Sequence, residues 1–338
     1  MAEKKKFVYF LGAGASLGAG AYATVQAGGR VAIPTQATFW ATFLRFCRGI
    51  QNRTEIESFL FRYFLGYGRM PTRLTATQRR SLLAPIDVEE VFTFLSERSR
   101  APSTSPQLRT YATRVWEALL VEIGGVFSRF GANKRTRSTY RALMDNHFRS
   151  FDSLVSFNYD TIFEQSLPAS MAAQYIGLGE SGGVVPLLKP HGSVNWMFAE
   201  DGAIAVSTKP KRAVIVAPTH LKFVSTEVRA DHTTAGYLDQ SSEIKEIWAD
   251  MERRMKEARA LVFIGYSFPL ADLYFSSVLR SVLADREYNP DVVVVNPDAV
   301  AIADRLQRRF ALPKVIRYFD LGQFVQATRH DVLAQMDN

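Results

Sequence analysis

The sequence runs FVYFLGAGASLG from Phe7 to Gly18. Five apolar residues are followed directly by three glycines and a serine, a pattern typical of a buried strand that turns tightly into a helix. Such turns bind dinucleotides, carry nucleophilic serines or simply form a corner in α/β proteins. These alternatives place different requirements on the rest of the chain.

An ordinary dehydrogenase site requires G-x-G-x-x-G and an acidic residue roughly 20 positions later. Here the third glycine, Gly18, is one place late, and no Asp or Glu occurs between Glu3 and Glu55. A P-loop requires Gly-Lys-Ser or Gly-Lys-Thr after its first glycine, and neither follows. The sequence therefore excludes both common phosphate-binding patterns.

The segment from Gly14 to Gly18 also satisfies G-x-S-x-G, with Ser16 in the place of a nucleophile. Asp160 and His191 follow it in the α/β-hydrolase order. That fold takes an oxyanion donor from a loop after an earlier strand, however, whereas this turn follows the first predicted strand. Its position therefore disfavours a serine hydrolase.

A glycine loop at the start of a helix can instead hold a phosphate through its backbone amides. This interpretation assigns ligand contacts to Gly12, Ala13, Gly14 and Ser16. The remaining alternative is a tight corner without a ligand, since glycine-rich corners are common in α/β folds.

The composition favours a folded protein with a large core. The chain has 338 residues, 47% of them hydrophobic, and a net charge of +8. This charge favours acidic partners, but the basic clusters are short, dispersed and not interleaved with aromatic residues, so direct nucleic-acid binding is left open. No apolar run has the length of a signal peptide or a membrane span, and we expect a cytoplasmic protein without membrane contact.

Further β-rich runs are almost continuously apolar, as expected of strands that are buried on both faces of a parallel sheet. They span residues 154–157, 214–217, 261–264 and 292–295. Before and between the last two runs, the apolar residues suit helices, with helical spacing from Ile244 to Ala258. The sequence therefore predicts an α/β fold with a Rossmann-like, doubly wound parallel sheet.

The middle of the chain has a different pattern. Between residues 36 and 149 there is little strand signal, and apolar positions recur at helical spacing, as at Val88, Val91 and Leu95. Pro102 to Pro106 divides this region into two helical groups. We predict a helical insertion module over residues 36–149 and a Rossmann-like domain formed by residues 1–35 and 150–338.

Polar segments lie at or near the ends of β-rich runs, where open α/β sheets bind their ligands. They are SFNYD (156–160), KPHGS (189–193), GYSF (265–268) and NPD (296–298). Together with GAGAS (12–16) and Ile33-Pro34-Thr35, they resemble the sirtuin family in order and approximate spacing, over nearly the whole chain apart from the helical module. The chain is most similar to the zinc-less, sirtuin-like NAD hydrolases of bacterial anti-phage defence, whose segments often read T-x-N-Y-D, HGS-x-x-W and GYSF.

The resemblance implies that NAD is bound as a substrate and cleaved to nicotinamide and ADP-ribose. It assigns Asn158 and His191 as catalytic residues, with Asp160 in support. No residue is assigned to a metal. The residues assigned to NAD binding are Gly12, Ala13, Gly14, Ser16, Pro34, Thr35, Gly265, Tyr266, Ser267 and Asn296.

The residue types suit this chemistry. Nicotinamide leaves as a neutral molecule, so the reaction needs a positioned nucleophile and dipoles that stabilise an oxocarbenium-like transition state more than it needs an acid. Asn158 can hold the attacking water, Asp160 can orient that amide or bind the nicotinamide carboxamide, and His191 can accept a proton. Taken singly, Asn158 and Asp160 also suit an Asx turn, and His191 suits an ordinary loop histidine.

The chain departs from the family pattern in its cysteine content, at Phe157 and in the loop between Ser16 and Pro34, which is longer than the family's usual glycine loop. Deacylating sirtuins carry a four-cysteine zinc ribbon, which the single Cys47 cannot form, so we expect no zinc and no protein deacylation. Phe157 stands where the family has Gln, which removes one expected contact with the nicotinamide ribose.

The resemblance also implies a biological role, namely depletion of NAD in abortive infection. Such an enzyme must be inactive at rest, so we expect control by homo-oligomerisation or by a separately encoded partner, a HerA-type ATPase or an Argonaute-like protein. The alternative from another class is a non-catalytic, oligomeric scaffold that binds NAD or ADP-ribose.

Overall fold

The computed structural model describes residues 5–25, 28–71, 73–179, 183–208, 212–217, 241–269, 272–285 and 289–337. Contacts divide the chain into two compact units. The first unit consists of Met1–Ile33, Phe130–Gly192 and Ser242–Asn338, and the second of Pro34–Arg129 and Ser193–Ser241. The sequence-based boundaries instead assign residues 130–149 to the helical module and residues 193–241 to the Rossmann-like domain, and those boundaries stay a prediction.

The strands of the described residues are short, and most belong to the first unit. In chain order they are β1 (Phe7–Leu11), β2 (Tyr22–Thr24), β3 (Arg30–Ala32), β4 (Ser153–Ser156), β5 (Ala173–Tyr175), β6 (Val185–Leu188), β7 (Gly192–Ser193), β8 (Trp196–Phe198), β9 (Ile204–Val206), β10 (Val214–Ile215), β11 (Ala260–Ile264), β12 (Asp291–Val295) and β13 (Val315–Tyr318).

The first unit is built on a sheet with the strand order β13-β12-β11-β1-β4-β6-β5. Every neighbouring pair in this sheet runs parallel. Helices of the first unit alternate with these strands along the chain. The Rossmann-like, doubly wound α/β fold predicted from the sequence is therefore confirmed.

The centre of the sheet explains why its strands read as continuous apolar runs. Every residue of β1 and β11 is buried, and the two strands pair from Phe7 with Ala260 to Leu11 with Ile264. The rings of Phe10 and Phe263 stack with their centroids 4.6 Å apart. A strand that is covered on both faces has no polar side to display, so apolar and polar residues do not alternate.

The sequence located some strands of the sheet wrongly. The run at 214–217 contains β10, which spans only Val214–Ile215 and pairs in a separate two-stranded sheet. Both residues are buried, so their apolar character reflects burial and does not indicate a place in the parallel sheet. The strand β6 was missed because Pro186 interrupts its apolar run, and β5 because it has only three residues, with Gln174 at its centre.

The helices of the first unit include one that the sequence predicted well. In the helix Ser242–Glu257, the apolar residues Ile247, Trp248 and Met251 are buried, as their spacing predicted. The bounds of the helices in this unit are Ala13–Gly18, Lys134–Asn146, Ile162–Ser166, Ser242–Glu257, Leu273–Ala284, Ala299–Phe310, Leu321–Gln326 and Arg329–Asp337, with a 3-10 turn at Ala169–Met171.

The second unit contains helices where the sequence predicted a helical region. Their bounds are Phe39–Phe46, Ile50–Tyr63, Ala76–Leu83, Val88–Arg100 and Pro106–Phe127, after a 3-10 turn at Gln36–Thr38. The predicted break at Pro102 to Pro106 is confirmed: Ser105 caps the last helix by accepting from the Leu108 amide at 3.3 Å, and Pro106 is its first residue. Across the described residues, no helix is both long and apolar enough to cross a membrane.

The long loop between Ser16 and Pro34 contains a β-hairpin. Its strands β2 and β3 pair antiparallel, from Tyr22 with Ala32 to Thr24 with Arg30. The base of the hairpin is held by Asn133, whose Nδ2 donates to the Gly20 carbonyl oxygen at 2.8 Å. The first part of the loop is therefore fixed to the start of the helix Lys134–Asn146.

Candidate active site

Five strands of the sheet are followed by the segments that the sequence singled out. GAGAS follows β1, FNYD follows β4, KPHG follows β6, GYSF follows β11 and NPD follows β12. Because these strands are parallel, all five segments start at the same edge of the sheet. The strand β1 lies between β4 and β11, at the point where chain order along the sheet reverses, which is the position where open α/β sheets bind their ligands.

The glycine loop packs against the backbone of the GYSF turn. The Gly12 amide donates to the Ile264 carbonyl oxygen at 2.9 Å, and the Gly14 amide to that of Gly265 at 3.0 Å. A Cβ added at Gly12 would lie 2.6 Å from the Gly265 oxygen, which is far too close. These glycines therefore allow two backbone turns to meet, and their amides have partners within the protein. Their assignment to NAD stays a prediction.

Asn158 is the second residue after β4 and is 8% exposed. Its Nδ2 donates to the Gly12 carbonyl oxygen at 2.9 Å and to Ser16 Oγ at 3.4 Å. The Gly12 oxygen can only accept, so the orientation of the Asn158 amide follows from this contact. The side chain is thus held against the glycine loop by its nitrogen.

Asp160 is buried and forms two kinds of contact. Its Oδ1 accepts at 2.9 Å from the amide of Ile162, the first residue of the helix Ile162–Ser166, and both carboxylate oxygens lie 3.4 Å from Ser16 Oγ. Burial raises the pKa of Asp160 to about 6, although the Lys189 charge and the Ile162 amide lower it. Both protonation states of this carboxyl group are therefore accessible close to neutral pH.

Ser16 is the centre of this polar cluster. Besides Asn158 and Asp160, its Oγ contacts the Tyr140 hydroxyl at 3.4 Å. Tyr140 is itself buried, and burial together with the Asp160 charge raises the pKa of its hydroxyl. Ser16 is only 1% exposed, whereas the nucleophile of an α/β-hydrolase turn is exposed above its sheet.

His191 lies in a turn among aromatic rings and is 6% exposed. Its ring centroid is 5.0 Å from that of Phe157, 6.0 Å from Trp248 and 6.4 Å from Tyr159. The turn depends on Gly192, which has a φ of +77° and donates its amide to the Lys189 oxygen at 3.0 Å. The imidazole is consequently held in a largely dehydrated environment.

Phe157 belongs to the same aromatic cluster as His191. Its ring centroid lies 4.9 Å from that of Tyr266, the second residue of the GYSF turn. The Tyr266 hydroxyl donates to Asp272, which caps the helix Leu273–Ala284 by accepting from the Phe275 amide at 3.2 Å. Tyr266 therefore contributes packing and a side-chain hydrogen bond at this edge, and its assigned contact with NAD stays a prediction.

The other assigned residues have local structural roles. Asn296 follows β12 and accepts from the Asp298 amide at 3.0 Å, which forms an Asx turn before the helix Ala299–Phe310. The Ser267 carbonyl oxygen accepts from Arg305. Pro34 and Thr35 belong to the second unit, where the Thr35 amide donates to Thr38 Oγ1 at 3.0 Å.

Sequence reasoning missed two charged residues of the site. Lys189 is buried, and its Nζ donates to the Asp160 carbonyl oxygen at 2.6 Å and to Glu164 Oε1 at 2.9 Å. The only signal was the position of Lys189 directly after an apolar run, where an ammonium group needs a buried partner. Among the described residues, no three His, Cys, Asp or Glu side chains are grouped in a way that could hold a metal ion.

Comparison with known proteins agrees with the resemblance seen in the segments. Residues 152–318 match the family model of the SIR2-like domain. This range includes Asn158, Asp160, His191 and Asn296, and the match supports a sirtuin-like family for the chain.

Similar solved structures include two mutants of a Sir2 homologue in complex with ADP-ribose. The serine-to-alanine mutant is 14% identical, with coverage of 99% of this chain and 95% of that chain and a TM-score of 0.40. The histidine-to-asparagine mutant is 15% identical, with coverage of 100% and 96% and a TM-score of 0.38. No match was found among curated proteins.

Proposed function

We propose that this protein is an NAD glycohydrolase, which hydrolyses the bond between nicotinamide and ribose to give nicotinamide and ADP-ribose. One observation carries the proposal: the sheet brings the buried cluster of Asn158, Ser16 and Asp160 to the edge at which the turn of His191 also begins. These residues belong to segments that resemble those of sirtuin-like NAD hydrolases, and three of them lie within the SIR2-like match.

In the proposed reaction, the bond between ribose C1′ and the nicotinamide nitrogen breaks, and its electron pair neutralises the pyridinium ring. A water oxygen then bonds to C1′ and loses a proton. Because Asn158 is held by its amide nitrogen, its carbonyl oxygen is the atom with which it orients this water. His191 accepts the proton as a general base, so that ADP-ribose is released with a hydroxyl group at C1′.

Asp160 supports this arrangement through Ser16. The serine lies 3.4 Å from Asn158 Nδ2 and 3.4 Å from the Asp160 carboxylate, so it links the two side chains. In its ionised form, Asp160 also places a negative charge near the site where positive charge develops on the ribose. The ionised form is therefore the active one in this proposal.

The aromatic residues around His191 give the site its low polarity. Phe157, Tyr159 and Trp248 surround the imidazole with apolar surface. Displacement of bulk water strengthens the electrostatic interactions of Asn158 and Asp160 with the transition state. Phe157 thus has a packing function in place of the missing family Gln.

The direct test is release of nicotinamide from NAD by the purified protein. Asn158→Ala and His191→Ala should each lower kcat by about two orders of magnitude, the usual worth of a positioned acid-base group. His330→Ala is the matched control, because His330 is exposed on the helix Arg329–Asp337 and should leave kcat unchanged.

Normal turnover by a folded His191→Ala protein would show that the site is assigned wrongly. Binding of NAD without turnover by the wild type, also in the presence of its partner, would favour the alternative of a non-catalytic NAD or ADP-ribose scaffold. Ester hydrolysis lost in Ser16→Ala would favour a serine hydrolase, and removal of acyl groups from lysine would favour a deacylase.

For the biological role, we propose NAD depletion in anti-phage abortive infection, in the cytoplasm. Control would come from homo-oligomerisation or from a HerA-type ATPase or Argonaute-like partner. Support for this part is the resemblance of the segments, together with the danger that unregulated NAD loss poses to a cell. We expect cellular NAD to fall after phage infection in cells that carry the wild type, and not to fall in cells that carry His191→Ala.

A further inference from the structure

A fully buried lysine lies between the two turns that carry the proposed catalytic residues. Lys189 directly follows β6, and its side chain is 0% exposed. Its Nζ donates to the main-chain oxygen of Asp160 at 2.6 Å, across to the turn after β4. Burial of an ammonium group is costly unless the charge is paired and hydrogen-bonded.

Glu164 supplies the opposite charge. It lies in the helix Ile162–Ser166, and its Oε1 accepts from Lys189 Nζ at 2.9 Å and from the Tyr175 hydroxyl at 3.2 Å. Tyr175 ends β5, so this small network joins residues from three neighbouring strand ends of the sheet.

The main chain of Lys189 holds the other turn. Its carbonyl oxygen accepts from the Gly192 amide at 3.0 Å, which closes the turn containing His191. The next carbonyl oxygen, that of Pro190, accepts from Trp248 Nε1 at 3.1 Å. One residue therefore fixes the His191 turn with its backbone and the Asp160 turn with its side chain.

We propose that Lys189 is a positioning residue, which with its partly buried counter-ion Glu164 holds the Asn158–Asp160 turn and the His191 turn in the relative placement that NAD cleavage requires. This inference rests on the proposed function, since that function assigns roles to Asn158, Asp160 and His191. Lys189 acts through these residues and does not touch the reacting atoms.

The charge of Lys189 has a second consequence. Burial is the main cause that raises the pKa of Asp160, and Glu164 raises it further, whereas Lys189 lowers it; the neighbouring Tyr140 also faces this carboxyl group. Without the ammonium group, Asp160 would remain protonated to a higher pH. The acidic limb of the activity profile should then move to higher pH.

The test compares kcat and KM for NAD across pH in the wild type, Lys189→Met and Lys189→Arg. In Lys189→Met, kcat should fall by about 10- to 100-fold, as expected for a small displacement of catalytic groups, while KM changes less. The acidic limb should move to higher pH in Lys189→Met and return towards the wild-type position in Lys189→Arg. Wild-type kcat and an unmoved limb in Lys189→Met would overturn the proposal.

A folding defect is avoided by a double variant, Lys189→Met with Glu164→Gln. This variant leaves no unpaired buried charge and retains an acceptor for the Tyr175 hydroxyl. It should be folded and should still show the reduced kcat. Its acidic limb should move less than in Lys189→Met, because loss of the Glu164 charge lowers the pKa of Asp160. Full activity in the double variant would likewise overturn the proposal.

A second buried ion pair offers a matched control at the opposite edge of the sheet. Arg329 Nη2 lies 3.1 Å from Asp152 Oδ1, and Asp152 also accepts from the Phe7 amide, where β1 begins. Arg329→Met therefore removes a buried ion pair without touching the candidate site. Its acidic limb should coincide with that of the wild type.

Hydrogen exchange provides a readout that does not depend on activity. The backbone amides of residues 157–163 and 189–193 should exchange faster in Lys189→Met than in the wild type. In Arg329→Met, their exchange rates should equal those of the wild type. Equal exchange in all three proteins would overturn the link between the two turns, whether or not the wild type cleaves NAD. A wild type that releases no nicotinamide would instead refute the proposed function alone.

Discussion

Replacement of Gly265 by alanine tests the close contact between the GYSF turn and the glycine loop. Gly265 has a φ of +63°, and a Cβ there would lie 2.0 Å from the Ala15 nitrogen and 2.2 Å from the Gly14 carbonyl carbon. Those atoms are backbone, so no side chain can rotate away to make room. The variant must both adopt a left-handed conformation and separate the two turns.

Two costs contribute to the expected loss of stability. The left-handed conformation costs an alanine about 1–2 kcal/mol. Forcing packed groups apart typically costs a further 1–3 kcal/mol, about the cost of overpacking a core. The free energy of unfolding of Gly265→Ala should therefore be lower than that of the wild type by about 2–5 kcal/mol.

Gly179→Ala isolates the first cost. Gly179 has a similar φ of +66°, and no described atom lies within 4 Å of an added Cβ. Urea unfolding should show a loss of about 1–2 kcal/mol for this control and a clearly larger loss for Gly265→Ala. Equal losses in the two variants would refute the role assigned to the contact between Gly265 and the glycine loop.

Further predictions concern the protonation of Asp160, a hydroxyl group and a helix cap. The pKa of Asp160 is raised from 3.8 to about 6, so the folded protein keeps this proton to a higher pH than the unfolded chain does. The stability that the protonated carboxyl group contributes is therefore lost as pH rises from about 4 to 6. Urea unfolding at pH 4 and at pH 7 gives the difference in the free energy of unfolding between these pH values, and Asp160→Asn should reduce this difference by up to about 3 kcal/mol. An unchanged difference would contradict the raised pKa of Asp160. Tyr266→Phe removes the hydrogen bond to buried Asp272 and should lower the free energy of unfolding by about 1–3 kcal/mol. The control is Tyr67→Phe, which changes a half-exposed tyrosine. Ser105→Ala removes the cap of the helix Pro106–Phe127 and should cost about 1 kcal/mol in thermal unfolding, whereas no change would show that Pro106 alone is enough to start the helix.

Local patterns were sufficient where a residue's environment is set by its neighbours in sequence. The apolar runs of β1, β11 and β12 predicted a parallel sheet because strands that are buried on both faces need no alternation. The spacing in the helix Ser242–Glu257 predicted its buried face, because apolar residues three and four positions apart lie on one side of a helix. Short strands such as β5, and strands interrupted by proline such as β6, carry too little local signal and depend on pairing with distant residues.

The sequence by itself determined the class of fold and the identity of the polar segments at its strand ends, because strand, turn and glycine patterns are local. Only the tertiary structure decided what those segments contact. It showed that Gly12 is required by the backbone of Gly265, that Asn158 is held by Gly12 and Ser16, and that buried Lys189 links two turns of the site. Contacts of this kind join residues far apart in the chain, and their geometry depends on strand order and register, which no local pattern specifies.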